Sequence, residues 1–483
     1  MSKAALPRQI LVPLIIACAL FMENLDSTVV STSLPAIAHS FGENPLRLNL
    51  AITAYLLSLG IFIPISGWMA DRFGARTVFC SAIVVFTLGS VACSAVNNLP
   101  EFVGARILQG IGGAMMVPVG RLVVLRSIPK HDLVNAMAWL TVPALIGPML
   151  GPPLGGFIST FGSWRWIFLI NIPIGILGLA LAMKYIGNFK EERRERFDGY
   201  GFAVVSIGVA ATMFGFENIG RGILPNSVVA VLLGGGAIML VLYWRHFRKV
   251  LASSDVAPII DLSLFRVATY RASILGGFLF RMGLGALPFL TPLMLQLGFG
   301  LTPFASGMIT FAGAAGAITM KFTAGPIIKR FGFRPVLLAN TLICGVFMAS
   351  YGFFTPETPH VGIIIVLLIG GFFRSLQFTA LNTIAYAEIE TGRMSRATTL
   401  SSVAQQLSLS FGVGIGAMAL HFTMSMGGRE HLIAGDFAPA YFFIAALSLL
   451  SLLFFVRLKP DAGDEVSGRI VAPAIGTVKD GGR

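Results

Sequence analysis

The sequence predicts an all-α membrane protein of fourteen transmembrane helices, built as two six-helix bundles with two extra helices between them. Three observations predict it: a composition poor in charge, a regular succession of long apolar segments, and a loop that occurs twice. Apolar residues make up 55% of the 483-residue chain and charged residues 12%, against about 25% charged in an ordinary soluble domain. A net charge of +13 would suggest nucleic acid in a soluble protein. Here the positive charge lies between apolar segments, where it orients a chain in a membrane, and no nucleic-acid partner is expected. The four cysteines, Cys18, Cys80, Cys93 and Cys344, fall inside apolar segments without metal-ligand spacing.

Apolar segments near 10–37, 47–70, 78–96, 101–125, 133–160 and 164–186 supply six spans, each long enough for the roughly 20 residues that a crossing needs. Two more follow near 199–217 and 226–243, and six near 272–297, 303–326, 335–354, 361–386, 397–424 and 437–456. The first segment is read as a retained helix, because it is too long for a signal peptide and contains two acids. Fourteen spans put both termini on one side. That side, with the loops near 71–77, 121–134, 184–200, 244–271, 329–334, 386–396 and 457–483, carries nearly all the Lys and Arg. The other side carries only Arg47, Arg165, Arg221 and Arg429, so the positive-inside rule places both termini in the cytoplasm. Arg106, Arg281, Lys321 and Arg374 fall within spans.

GWMADRFGARTVF (67–79) and GPIIKRFGFRPVL (325–337) align without gaps, after the second and tenth spans. They share Gly67/Gly325, Arg72/Arg330, Phe73/Phe331, Gly74/Gly332, Arg76/Arg334 and Val78/Val336; Lys329 stands where the first copy has Asp71. Arg106-x-x-Gln109 and Arg374-x-x-Gln377 form a weaker echo. The expected organisation is a bundle over 1–188, two extra helices with linkers over 189–262, a second bundle over 263–458, and a disordered cytoplasmic tail over 459–483. Parallel halves of this kind are a transporter architecture with the substrate site between them. The paired loops, with Gly67, Asp71, Arg72, Gly74, Arg76, Lys329, Arg330 and Arg334, are expected to form a cytoplasmic gate. Asp71 is expected to pair with Arg72, Arg76 or a neighbouring helix N-terminus.

Together these segments resemble the major facilitator superfamily, and within it the fourteen-span drug:proton antiporter family that includes multidrug efflux proteins of the bacterial inner membrane. GWMADRFGAR is similar to the superfamily's loop 2–3 motif, RILQGIGGAMMVP (106–118) to its fourth-helix motif, and GPMLGPPLGGF (147–157) to the antiporter motif of the fifth helix. LDSTVVSTSLP (25–35) and SWRWIFLINIPIG (163–175) are similar to segments of the fourteen-span family. The resemblance implies a major facilitator fold, alternating access, drug export in exchange for protons, and a proton-coupling role for Asp26 and Arg106. Glu23 and Arg374 lie outside these motifs.

The residues themselves point the same way. A carboxylate in a membrane helix is costly and faces the bundle interior or a wet cavity. Asp26 is therefore the candidate proton carrier, an acid able to be neutral facing one side and ionised facing the other. Glu23, three residues earlier, shares its helical face and is a substrate or second proton site. Arg106 needs a polar partner inside the membrane, and an acid of the first helix is the natural one. Arg281, Lys321 and Arg374 are able to meet these acids across the cleft or to meet an anionic substrate. Lys321, near a helix end, is also placed to snorkel. Gln109, Gln405 and Gln406 add neutral polar groups to the expected cleft. Gly147, Gly151 and Gly155 lie four apart, a smooth stripe for close helix approach, while Pro148, Pro152 and Pro153 bend the helix; with Gly156 they form the candidate rocker surface. No nucleotide-binding loop is recognised, so neither ATP, a cofactor nor a metal is expected, and the chain is not expected to be an enzyme. The leading reading is a monomeric proton-coupled exporter of small amphipathic compounds. The alternatives are an exporter of one metabolite, an anionic one if Arg281 and Arg374 bind it, and a non-transporting sensor or assembly factor on a carrier fold.

Overall fold

The computed structural model of the protein describes residues 8–43, 45–189, 196–219, 224–251, 256, 258–428 and 432–468. Residues 190–195 of the expected linker, Arg221, Arg429 and the tail 469–483 lie outside the described residues, as do the side chains of Pro148 and Pro152 and the surroundings of Gly156. Among the described residues there is no β-strand, and helices account for nearly everything. This is the membrane solution for a backbone that must satisfy its own hydrogen bonds.

The first span is Arg8–Phe41. The second is Pro45–Phe62, which passes through a tight turn at Ile63–Ile65 into Ser66–Phe73. The third is Ala75–Ala95, the fourth Leu99–Ser127, the fifth Leu133–Phe161, and the sixth centres on Asn171–Tyr185. The extra pair is Gly199–Asn218 and Asn226–Val250. The ninth span runs over Ala268–Gly298, followed by Pro303–Phe331, Phe333–Ser350, His360–Ile384, Met394–Met426 and the fourteenth at Phe437–Leu449. Thirteen of these stretches are long and apolar enough, among the described residues, to cross a membrane. The fifth span is a further 29-residue helix.

The same pairs of helices close on each other in both sets of six, and glycine is what lets them. The first and fifth spans meet at Gly147, where a Cβ would lie 3.0 Å from the Leu25 backbone nitrogen. The ninth and thirteenth, their counterparts eight spans later, meet at Gly412, where a Cβ would lie 2.1 Å from the Met282 carbonyl oxygen. The second and fourth meet at Gly110, 2.8 Å from the Tyr55 carbonyl, and the tenth and twelfth at Gly371, 2.0 Å from the Gly313 carbonyl. Without side chains in the way, backbones approach closely and dispersion replaces the hydrophobic drive that lipid cannot supply. The two copies of the repeated loop also share a backbone. Gly74 has φ 95° and Gly332 has φ 82°, a region that L side chains rarely adopt.

The extra pair is unequal. Its first helix lies between the second and thirteenth spans: Ser206 donates to the Ile61 carbonyl at 2.7 Å, and Phe216 stacks on Phe411 with centroids 3.8 Å apart. Its second helix packs chiefly on the first and is otherwise exposed. One expectation is corrected at the C-terminus. The disordered tail was expected from 459, but residues 459–468 are folded: Val466 is fully buried, and Lys130 pairs with Glu465 at 3.1 Å. Ala462 and Val466 supply the apolar anchors that the Gly- and Asp-rich composition around them conceals.

If close glycine contacts hold each set of six helices together, Gly412→Ala will destabilise the protein by about 1–3 kcal/mol, since its Cβ would overlap backbone. Gly235→Ala, with nothing within 4 Å, will be neutral. Melting temperatures of the two purified variants check this.

Candidate functional site: a buried ion pair and a cluster of cations without acids

Asp26 and Arg106 are both 1% exposed and form an ion pair, with Arg106 Nη1 donating to Asp26 Oδ2 at 2.5 Å. Gln109, one turn along the fourth span, shares the face of Arg106. It accepts from Arg106 Nη1 at 2.6 Å and donates through Nε2 to Asp26 Oδ1 and Ser90 Oγ, each at 2.8 Å. Asn171 of the sixth span donates to Asp26 Oδ1 at 3.3 Å and to Ser90 Oγ at 3.1 Å. The Arg106 guanidinium lies 4.3 Å from the centroid of the Tyr55 ring, a cation–π contact that strengthens with desolvation. Two glycine contacts hold the network. Gly89 brings the third span to within 2.8 Å of the Gln109 backbone, as judged by the Cβ it lacks, and so lets Ser90 reach Gln109. Gly147 and Gly151 lie against Asn24, Leu25 and Thr28, the turn of the first span that carries Asp26.

Four residues or motifs singled out in the sequence take definite places here. The first-helix acid and Arg106 do meet. Gln109 is not in a cleft between halves; it belongs to the Asp26 network within the first six spans. The Gly147–Gly151 stripe faces the first span rather than the other half, and Gly155 is buried. Glu23 stands apart: its Oε2 is buried without a hydrogen-bond partner, as is the Tyr55 hydroxyl, and its Cδ faces Gly113 on the fourth span. Ser90 and Asn171 escaped the sequence reading. Asn171 was in view, as the lone amide of the apolar run WIFLINIPIG (166–175).

Across the protein, the cations of the last six spans do not reach these acids. Arg281, fully buried, donates through Nη2 to Asn382 Oδ1 at 3.1 Å, while its Nε and Nη1 have no partner. Lys321 does not snorkel; it is 6% exposed and donates to Thr379 Oγ1 at 2.6 Å. Arg374 donates to the Tyr351 hydroxyl at 2.7 Å. Its echo partner Gln377 rebuilds the Gln109 arrangement without charge, bonding Asn340 at 2.9 Å and Thr341 at 2.7 Å. Arg121, assigned to a loop from the sequence, lies inside the fourth span at 6% exposure. It reaches the Tyr386 hydroxyl and Ser401 Oγ at 3.4 Å and Gln405 Oε1 at 3.3 Å, all beyond residue 380. The unbroken apolar run LVVL (122–125) after it was the available signal. Gln406 is half-buried.

At the end carrying the repeated loops, the halves touch. A Cβ on Gly67 would lie 2.6 Å from Thr399 Oγ1, and Ser66 Oγ is 3.2 Å from the same atom. Asp71 pairs with Arg126 at 3.3 Å and accepts a short hydrogen bond from Ser395, so its partners are not Arg72 or Arg76. Arg76 instead donates to the Ile186 carbonyl at 3.4 Å, and Arg72 is half-exposed. In the second copy, a Cβ on Gly325 would lie 2.4 Å from Asn135 Oδ1. Lys329 is exposed, Arg330 lies over Phe331, and Arg334 donates to the Val456 carbonyl at 3.1 Å. The first copy thus meets the other half through an acid and the second through a neutral amide. Lys130 adds a bond to the Ala387 carbonyl at 3.3 Å. Among the described residues no group of His, Cys, Asp or Glu is arranged to hold a metal.

Comparisons with known proteins agree with this architecture. The sequence profile described as Major Facilitator Superfamily matches residues 16–412 and, in a second match, 273–476. A protein of Serratia proteamaculans (strain 568) named as multidrug resistance protein MdtD is 38% identical over 457 residues, covering 92% of this chain and 93% of its own. Its namesake from Yersinia enterocolitica serotype O:8 / biotype 1B is 37% identical over 455 residues, covering 93% and 95%. Among solved structures, the human organic anion transporter MFSD10 superposes with a TM-score of 0.68 at 16% identity, covering 93% of this chain and 100% of that one. The proton:xylose symporter XylE, bound to 6-bromo-6-deoxy-D-glucose, gives 0.66 at 16% identity, covering 95% and 98%. The chain, a multi-pass membrane protein, therefore belongs to the Major Facilitator Superfamily, a superfamily of transporters rather than enzymes.

Proposed function

We propose that this chain is a proton-coupled exporter of small amphipathic compounds, working as a monomer by alternating access in the bacterial inner membrane with both termini in the cytoplasm. The relatives' names, multidrug resistance proteins of bacteria, support the substrate class. The excess of Lys and Arg at the end of the repeated loops supports the orientation. The observation that carries the reading is the Asp26–Arg106 pair, sealed from solvent yet held by neutral groups able to stay bonded to a protonated acid.

Asp26 is the proton carrier and Arg106 controls it. When Arg106 is near, the carboxylate keeps its negative charge; when a rearrangement draws Arg106 away, the isolated acid takes up a proton. Because Asp26 is enclosed by Arg106, Gln109 and Asn171, substrate does not touch it. Coupling acts through the two conformations: proton and substrate favour opposite ones, and each weakens the other's hold reciprocally. Glu23, unpartnered and one turn away, is a second proton or substrate site. The contacts of Gly67, Asp71 and Lys130 with residues 387–399 close the cytoplasmic path. Transport to the other side requires that they open in turn.

In everted vesicles, Asp26→Asn will reduce protonophore-sensitive dye efflux to below about one tenth, a loss of a step rather than of uniform binding. Arg106→Ala will lower the melting temperature as well, because a buried acid without its counter-ion costs about 3–5 kcal/mol. Efflux by Asp26→Asn at the wild-type rate would contradict the mechanism. For the gate, a Ser66→Cys/Thr399→Cys pair in a background without other cysteines will form a disulfide on mild oxidation. Efflux should then stop and return on reduction.

A further inference from the structure

Arg281, Lys321 and Phe378 come from the ninth, tenth and twelfth spans and meet inside the protein. The Arg281 guanidinium lies 5.8 Å, and the Lys321 ammonium 6.0 Å, from the centroid of the same Phe378 ring. Both cations are buried, yet their only hydrogen-bond partners are neutral: Asn382 for Arg281 and Thr379 for Lys321. Two guanidinium nitrogens of Arg281 are left without any partner. Gly277 makes room for one of them, since a Cβ there would lie 2.8 Å from Nη1. Phe378, Asn382 and Tyr386 follow one another at four-residue spacing, so they lie along one side of the twelfth span and the turn after it. Tyr386 meets Arg121, which also has only neutral partners. Three cations are therefore strung along one face with no carboxylate, among the described residues, in ion-pair distance of any of them.

Two other arginines, one buried and one half-buried, show what is missing. Arg106 has Asp26 and Arg393 has Asp261. An uncompensated charge in a low-dielectric interior is expensive, and helices can be held together by neutral residues without that cost. A guanidinium with two unpartnered nitrogens keeps charge and donors for the oxygens of a carboxylate or sulfonate, and a half-buried aromatic ring beside it offers an apolar face.

We propose that Arg281, Lys321 and Phe378 form a subsite for organic anions, compounds carrying a carboxylate or sulfonate on a flat apolar body. The acid head enters between the two cations and the body lies on Phe378; Arg121 stands further along as a third positive group. This rests on the exporter reading and gives its substrate class, separating substrate charge in the last six spans from the proton chemistry of Asp26 in the first six. Arg374, committed to Tyr351, takes no part.

The test is binding of two dyes to the purified full-length protein in detergent: anilinonaphthalene sulfonate, and phenylnaphthylamine, the same ring system without the sulfonate. Arg281→Gln and Lys321→Gln will each weaken the sulfonate dye about 10- to 100-fold, the worth of a hydrogen bond to a charged group. The neutral dye should change by less than about twofold, and Arg281→Lys should recover part of the loss. Equal weakening of both dyes, or sulfonate binding untouched by either variant, would overturn the subsite. Monodispersity and melting temperature identify a misfolded variant, in which case the other carries the test. Vesicle flux separates the two readings. Charge-dependent sulfonate binding without gradient-driven efflux of any dye keeps the subsite and removes the exporter. Efflux of ethidium that depends on Asp26, with no sulfonate binding, keeps the exporter and removes the subsite.

Discussion

The arrangement turns on one ion pair that the membrane makes expensive. Asp26 and Arg106 are both out of water, where two charges survive only if geometry and further hydrogen bonds offset their desolvation. Gln109 and Asn171 supply those bonds, and Ser90 accepts a hydrogen bond from each of them. Gly89 lets the third span, with Ser90, close on Gln109, while Gly147 and Gly151 let the fifth span close on the turn of the first that carries Asp26. Three glycines of the first six spans thus serve the surroundings of one buried acid. The last six spans repeat the packing but drop the acid, and Gln377 bonds Asn340 and Thr341 instead. The halves are alike in backbone and unlike in charge.

In the proposed function, that asymmetry divides labour. A proton site wants an acid in a closed polar shell, with a mobile counter-charge to decide when it is ionised. A substrate site wants groups with unmet capacity facing a space that others can enter. The first description fits the surroundings of Asp26, and the unmet capacity of the second fits Arg281 with its two unpartnered nitrogens. The loops follow the same logic. Both copies turn through a glycine at positive φ, but only the first carries an acid, Asp71, able to grip both Ser395 and Arg126. The first helix of the extra pair, leaning on the second and thirteenth spans through Ser206 and Phe216, gives the two sets of six a shared wall.

The class, the spans and the Asp26–Arg106 meeting were legible because charge is rare in a membrane chain and each exception must be accounted for. Faces were not legible. In a soluble helix the polar stripe marks the outside, but lipid and bundle core are both apolar, so periodicity could not say that Gln109 turns inward to Asp26 or that Gly147 and Gly151 turn to the first span. Arg121 was misplaced because a cation next to a loop looks like a loop cation until the helix is seen to continue to Ser127. The order at 459–468 was missed because Ala462 and Val466 are too few to register against Gly and Asp.

The account depends on Asp26 taking up and releasing a proton inside the membrane. Infrared difference spectra of the purified protein, recorded across a pH titration, observe that event directly. The account predicts a protonated-carboxyl band that grows on acidification, loses one component in Asp26→Asn and keeps that component in Glu23→Gln. An undiminished band in Asp26→Asn would contradict it.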